Sequence, residues 1–366
     1  MDTQTLPLTA SVQAWTGGSH FQNLAVNLPA LAPGEALAAV DLATVCGSDI
    51  HTISGRRPGP HPGILGHEAV GRILSLGDGG ARDFHGRELQ PGDRVIWSVT
   101  VSCGQCARCR AGVTAKCVEL LKTGHEPLDG PWGLSGGYAS HIHLRRGITM
   151  VSVPDLVTDA AAAPVACATA TVMAVMEAAG PLARKRVLVS GAGMLGIVAC
   201  AVATHRGASA VHVRDINTER LALAREFGAT DATAPGNDPS GFSVDIAVDL
   251  SGAAQAVESA FEALDIAGRM VLAGSVSPGP AVALDPERMV RSLLTVTGVH
   301  NYEPRHLQEA MDFVKETRDI YHWDALVEEP RPLSELQFLM QPPSGRSLRK
   351  SVTPLQEQRG EHHDHP

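Results

Sequence analysis

The sequence predicts an α/β protein of two domains, a mainly-β part followed by a doubly wound parallel sheet, and three observations carry that prediction. Short β-rich segments separated by Gly and Pro turns fill residues 12–148, as at Pro33-Gly34-Glu35 and Pro91-Gly92-Asp93, the rhythm of an antiparallel, barrel-like unit. From about residue 159 the rhythm changes to strand, helix, strand, which implies a parallel sheet covered on both faces. The 366-residue length exceeds one ordinary core, and 44% hydrophobic residues supply enough apolar surface for two.

In the second part, strands are expected at 186–190, 210–214, 245–249, 269–273 and 294–298, with helices at 194–206, 219–227 and 253–264. A helix at 304–315 and a final segment at 333–354 read as a return to the first unit. The domains are therefore expected at 1–165, 166–299 and 300–354. Residues 355–366 are polar and aperiodic and are expected to form a disordered tail, whose histidines read as solvated. The uncharged run 187–204 has the length of a membrane span, but Gly191, Gly193 and Gly196 divide it into a strand, a turn and a helix.

A net charge of −9 and a pI near 6.0 give no broad basic face for nucleic acid or an anionic membrane. The N-terminal stretch has no basic region followed by an apolar one, so a cytoplasmic protein is expected.

Four of the seven cysteines, Cys103, Cys106, Cys109 and Cys117, fall within fifteen residues as C-x2-C-x2-C-x7-C. Four thiolates at this spacing can enclose one zinc tetrahedrally and leave no position for substrate, so this site is structural. The clustering and the odd total favour metal binding over disulfides.

Gly191-Ala192-Gly193-Met194-Leu195-Gly196 follows a predicted strand and opens a predicted helix. The glycines there permit a tight turn, close approach of a pyrophosphate and close helix packing, with the phosphates on the helix N-terminus. The next strand ends in Asp215, an acid placed to bind the adenosine ribose hydroxyls, which favours NAD over NADP. Arg214 and Arg220 flank it, and either offers a partner for a 2′-phosphate.

Cys46, His67 and Cys167 offer S, N and S, the three-ligand set of a catalytic zinc whose fourth position is open. With the cysteine quartet, Cys46-Gly47-Ser48-Asp49, Gly66-His67-Glu68, the PGDRV turn and the glycine motif in this order, the chain resembles the zinc-dependent alcohol dehydrogenases of the medium-chain dehydrogenase/reductase family. The resemblance spans residues 12–354. It implies a GroES-like catalytic domain and a Rossmann domain, with two zinc ions per chain. It makes Cys46, His67 and Cys167 the catalytic ligands and leaves Cys200 to core packing. Asp49 is similar to the carboxylate that orients the ligand histidine, and Glu68 to a glutamate near the metal that exchanges with water. Ser48 and His51 resemble the family's proton relay.

Arg56 and Arg57 lie between His51 and His67, where two guanidinium groups can clamp an anion. Residues 298–307, with His300, Asn301, Tyr302 and Glu303, form a second unusual stretch. Both segments resemble members associated with phosphonate metabolism, which implies a hydroxyalkylphosphonate or its aldehyde as substrate. A polyol or amino-alcohol dehydrogenase, threonine- or sorbitol-like, stays open, as does a silent nucleotide-binding relative. The strand near 294–298 resembles the family's pairing edge and implies a homodimer or homotetramer.

Overall fold

The computed structural model describes residues 7–237, 240–343 and 345–354; the expected tail at 355–366 lies outside them. The second half builds a six-stranded sheet in the spatial order Asp231–Thr233, Ala210–Arg214, Arg186–Ser190, Val244–Asp249, Leu264–Leu272, Thr295–Gly298. Every neighbouring pair is parallel. In chain order this is 3-2-1-4-5-6, the doubly wound arrangement, and its switch point lies between Arg186–Ser190 and Val244–Asp249. Val187, Leu188 and Val189 are fully buried, as a strand covered on both faces requires.

The helix Met194–His205 buries nearly its whole surface because Gly196, Ala199, Ala201 and Ala203 let the sheet and the helix Ala168–Ala179 approach closely. Cys200 is fully buried in this core. Among the described residues, no single helix is long and apolar enough to cross a membrane.

The expected strand at 269–273 begins earlier, at Leu264. Ala267 takes φ 58° and the pairing shifts register between Val244 and Ile246, so the ladder runs through an irregularity before Arg269.

The first half forms a three-stranded sheet and a larger antiparallel one centred on Ala36–Thr44, Ala69–Leu76 and Arg94–Val101. The end of the chain returns to it: Ser351–Thr353 pairs antiparallel with Ala36–Thr44, Ser351 opposite Thr44. This brings Arg349 beside residues more than 280 positions earlier, which positions the site below.

Candidate active site

Cys46 caps the short helix Gly47–Ile53, His67 follows the turn at Gly66, and Cys167 stands between the 3-10 turn Ala163–Ala166 and the helix Ala168–Ala179. Gly66 is required there: its φ is 92°, and a Cβ would lie 2.9 Å from the Tyr138 ring. The three donor atoms converge within 4.8 Å of one another. Cys46 and His67 are 6% and 2% exposed, whereas Cys167 is half-buried and is the least enclosed of the three.

The hydrogen bond from Cys167 holds the Cys46 thiol well below the ordinary thiol range, Arg349 and His67 add to this, and Cys167 is raised in turn. Burial alone would lower His67, but the Asp49 carboxylate, 3.5 Å from Nδ1, outweighs it and raises the imidazole. A thiolate, an imidazole and a nearby carboxylate are the donor set and field that suit a dication.

Asp49 also accepts from the Cys46 N–H at 3.0 Å and the Tyr138 hydroxyl at 2.8 Å, tying both ligand-bearing segments to one carboxylate. Ser48 Oγ lies 3.1 Å from His67 Nε2, and His51 sits one helical turn further on, half-buried.

Glu68 is fully buried but is not a free carboxylate. It accepts from Thr44 Oγ1 at 2.8 Å and from Arg349 at 2.7 and 3.0 Å, and Arg349 Nη2 lies 3.7 Å from Cys46 Sγ. Burial raises Glu68 to about 7 even against the pull of Arg349.

The quartet Cys103, Cys106, Cys109 and Cys117 also closes within 4.8 Å. Sulfur separations of 3.4 Å (Cys103 to Cys117) and 4.0 Å (Cys106 to Cys117) bracket the roughly 3.8 Å edge of a tetrahedron with zinc–sulfur bonds near 2.3 Å. Backbone N–H groups of Cys103, Cys106, Cys109 and Glu119 point at the sulfurs.

The glycine turn fits a dinucleotide. A Cβ on Gly196 would meet the Gly191 carbonyl oxygen at 1.8 Å, whereas one on Gly193 would meet nothing within 4 Å. Gly193 therefore faces open space at the N-terminus of a twelve-residue helix that no side chain caps, where a pyrophosphate can be received. Asp215 lies at the rim, accepting from the Ala192 and Asn217 N–H groups at 2.6 and 2.8 Å.

Known families agree with this geometry. Residues 32–155 match the alcohol dehydrogenase GroES-like domain, and residues 195–316 match the zinc-binding dehydrogenase domain. A 5-exo-hydroxycamphor dehydrogenase of Pseudomonas putida is 30% identical over 336 residues, covering 88% of this chain and 92% of its own. The chain belongs to the zinc-dependent alcohol dehydrogenases of the medium-chain dehydrogenase/reductase family. An L-threonine 3-dehydrogenase of Edwardsiella ictaluri is 29% identical, covering 76% of this chain and 80% of its own. The crystal structure of an alcohol dehydrogenase from Thermotoga maritima superimposes with a TM-score of 0.88 at 25% identity, covering 95% of this chain and all of its own. The dehydrogenase is thus an enzyme with a GroES-like part, a Rossmann part, and sites for zinc and a nicotinamide dinucleotide.

Other expected residues land less simply in this dehydrogenase. Arg56 is exposed and Arg57 half-buried, so the two do not face the site equally. Arg214 is buried, donates to Ser259 Oγ at 2.9 Å and stacks 5.0 Å from the Phe242 ring, which removes it as a partner for a 2′-phosphate. Arg220, half-buried, has its backbone N–H capped by Asn217 Oδ1 at 3.1 Å.

Asn301 has φ 61°, and this turn places Tyr302 and Glu303 as anchors. The buried Tyr302 hydroxyl donates to the Ala166 carbonyl, next to Cys167, and accepts from the Val99 N–H at 3.0 Å. Glu303 accepts from the Thr114 hydroxyl and from the Thr114 and Ala115 N–H groups at 2.9 and 3.2 Å, binding the interdomain turn to the cysteine lobe.

Arg349, Tyr138 and Glu303 escaped the sequence reading. Nothing local marked Arg349 or Tyr138, and Glu303 stood only as one member of the stretch 298–307.

Proposed function

We propose that this dehydrogenase oxidises an alcohol to its aldehyde, or the reverse, with NAD, at a zinc held by Cys46, His67 and Cys167. The observation that carries the reading is the convergence of those three donors, with no fourth protein ligand among the described residues. Zinc there would polarise the substrate oxygen and lower its pKa, and the nicotinamide would take up the hydride. The chain's own residues do the rest. Asp49 orients His67, and the buried pair of Glu68 and Arg349 fixes the wall behind Cys46. Ser48 holds the substrate hydroxyl proton at Oγ and hands it toward His51, which lies on the same helix face and stays neutral near pH 7. The quartet of cysteines holds a second, structural zinc.

NAD is favoured because the Asp215 carboxylate would repel a 2′-phosphate and Arg214 is engaged elsewhere. The catalytic part comprises 1–165 and 300–354, with 166–299 binding the dinucleotide. Thr295–Gly298 is an edge strand, which supports pairing of two chains across it into a homodimer or a dimer of dimers. Cysteine ligands need a reducing setting, as the cytoplasm provides.

For the substrate we propose an anionic alcohol, a hydroxyalkylphosphonate or its aldehyde, on the strength of the half-buried Arg57 beside the relay helix. A threonine-like amino alcohol is the second reading, favoured by the relatives named L-threonine 3-dehydrogenase. The test is metal analysis together with NADH formation across neutral alcohols, polyols, threonine and 2-hydroxyethylphosphonate. Two zinc ions per chain and NAD-linked turnover are expected, with Cys167→Ala losing one zinc and all turnover. Full activity with one zinc would overturn the site.

A further inference from the structure

We propose that Arg57, Lys116, Lys122 and His300 form an oxyanion subsite beside the metal site, selecting an alcohol that carries a doubly charged phosphonate or phosphate group. The proposal rests on the alcohol-oxidising reading above and names the substrate class for it.

Four separate segments bring these residues together. Arg57 follows the helix of Ser48 and His51, and its N–H donates to the His51 carbonyl at 3.2 Å. Lys116 ends the 3-10 turn of the cysteine lobe, Lys122 ends a short strand, and His300 lies on the interdomain turn. Lys116 Nζ is 2.5 Å from His300 Nδ1, and Glu303 clamps the same turn to the same lobe.

The cluster adjoins the metal site through one residue. The His125 N–H donates to the Lys122 carbonyl at 3.1 Å, and the His125 ring stands 5.3 Å from the ring of His67. Lys122 and the ligand His67 are thus linked through the single residue His125.

The hydrogen-bonding capacity matches an oxyanion. A lysine ammonium only donates, so His300 Nδ1 accepts and its Nε2–H remains a donor. Burial, then the charges of Lys116, Lys122 and Arg57, hold His300 down at about 4, so it stays a neutral donor near pH 7. Lys122 is lowered by burial first and then by Arg57 and Lys116; the opposing influence is Glu126. Glu126 itself accepts from the Lys122 N–H at 2.8 Å. Among the described residues, neither Arg57 nor either lysine makes an ion pair, so their mutual repulsion is offset only in part, by Glu126 near Lys122. Three cations and an imidazole donor exceed what one carboxylate requires and suit a dianion, for which Arg and Lys are the usual partners.

The test uses the full chain loaded with zinc and NAD. Methylphosphonate and acetate binding are measured by calorimetry, and kcat/KM is compared for 2-hydroxyethylphosphonate and 1-propanol, in the native protein and in Lys122→Met and His300→Leu. Methylphosphonate is expected to bind more tightly than acetate. The ratio of kcat/KM for the phosphonate to that for propanol is expected to fall about tenfold in each variant, the worth of one charge-assisted hydrogen bond. Melting temperature and zinc content check that the variants fold. No methylphosphonate binding, acetate binding as tightly, or a ratio indifferent to Lys122→Met overturns the subsite. Absence of turnover with every alcohol, while methylphosphonate binding still depends on Lys122, supports the subsite and instead sinks the dehydrogenase reading on which its substrate rests.

Discussion

Arg349 and Glu68 form an enclosed ion pair, with Nε 2.7 Å and Nη2 3.0 Å from the carboxylate oxygens, although 281 residues separate them in the chain. Glu68 is fully buried and Arg349 is 6% exposed, and the same guanidinium reaches Cys46 Sγ at 3.7 Å. The pair fastens the returning chain end to the wall behind the metal ligands. Its two members are worth far less apart than together, because either alone would be a charge stranded in the core.

Arg349→Met is therefore expected to destabilise the protein by about 3–5 kcal/mol, the usual consequence of breaking a buried pair on one side. The double variant Arg349→Met/Glu68→Gln should recover part of that loss, since no charge is left unpaired. Urea unfolding of the native protein and both variants measures this. A double variant no more stable than the single one would show that packing of the arginine stem, not the charge, dominates.

The glycine turn makes a sharper contrast. Gly196→Ala would drive a Cβ to 1.8 Å from the Gly191 carbonyl oxygen, a contact of backbone with backbone that nothing flexible can relieve. Gly193→Ala meets no atom within 4 Å and so should fold with an unchanged melting temperature. Its methyl group fills the space a pyrophosphate needs, so NADH affinity is expected to fall about tenfold or more, read by fluorescence titration. Gly196→Ala should lose stability as well as affinity. Equal NADH affinity in Gly193→Ala and the native protein would remove the phosphates from this turn.

The parts legible from sequence are those in which chemistry is local. The glycine motif, the cysteine quartet and the alternating strands each carry their meaning within a few residues, and the structure brings the four sulfurs together and sets the glycine motif between a strand and a helix. What the sequence hid depends on contacts made by the returning chain. Arg349 gains its role from a carboxylate at position 68, Glu303 from N–H groups at Thr114 and Ala115, and Tyr302 from a carbonyl at Ala166. The pair Arg56 and Arg57 was read as one clamp because adjacent residues look equivalent in a string. In the fold Arg57 is half-buried and its charge is felt by Lys122 and His300, while Arg56 is exposed.

His51 supplies the pH dependence. Burial holds its imidazole below the ordinary value of 6.5, the charge of Arg56 and then Arg57 adds to that, and Cys46 opposes it. A relay base must be neutral to accept a proton, so alcohol oxidation is expected to keep its full rate at pH 7. The rate should then fall as pH drops through the His51 value, which lies below 6.5. His51→Gln should run about a hundredfold slower and lose that acid limb, as removal of a general base predicts. Arg56→Gln should keep the limb but move it to higher pH, because one of the charges that disfavour the imidazolium is gone. Rates of NADH formation between pH 5 and 8 measure all three proteins. An acid limb that persists unmoved in His51→Gln would assign the proton to another group and take His51 out of the relay.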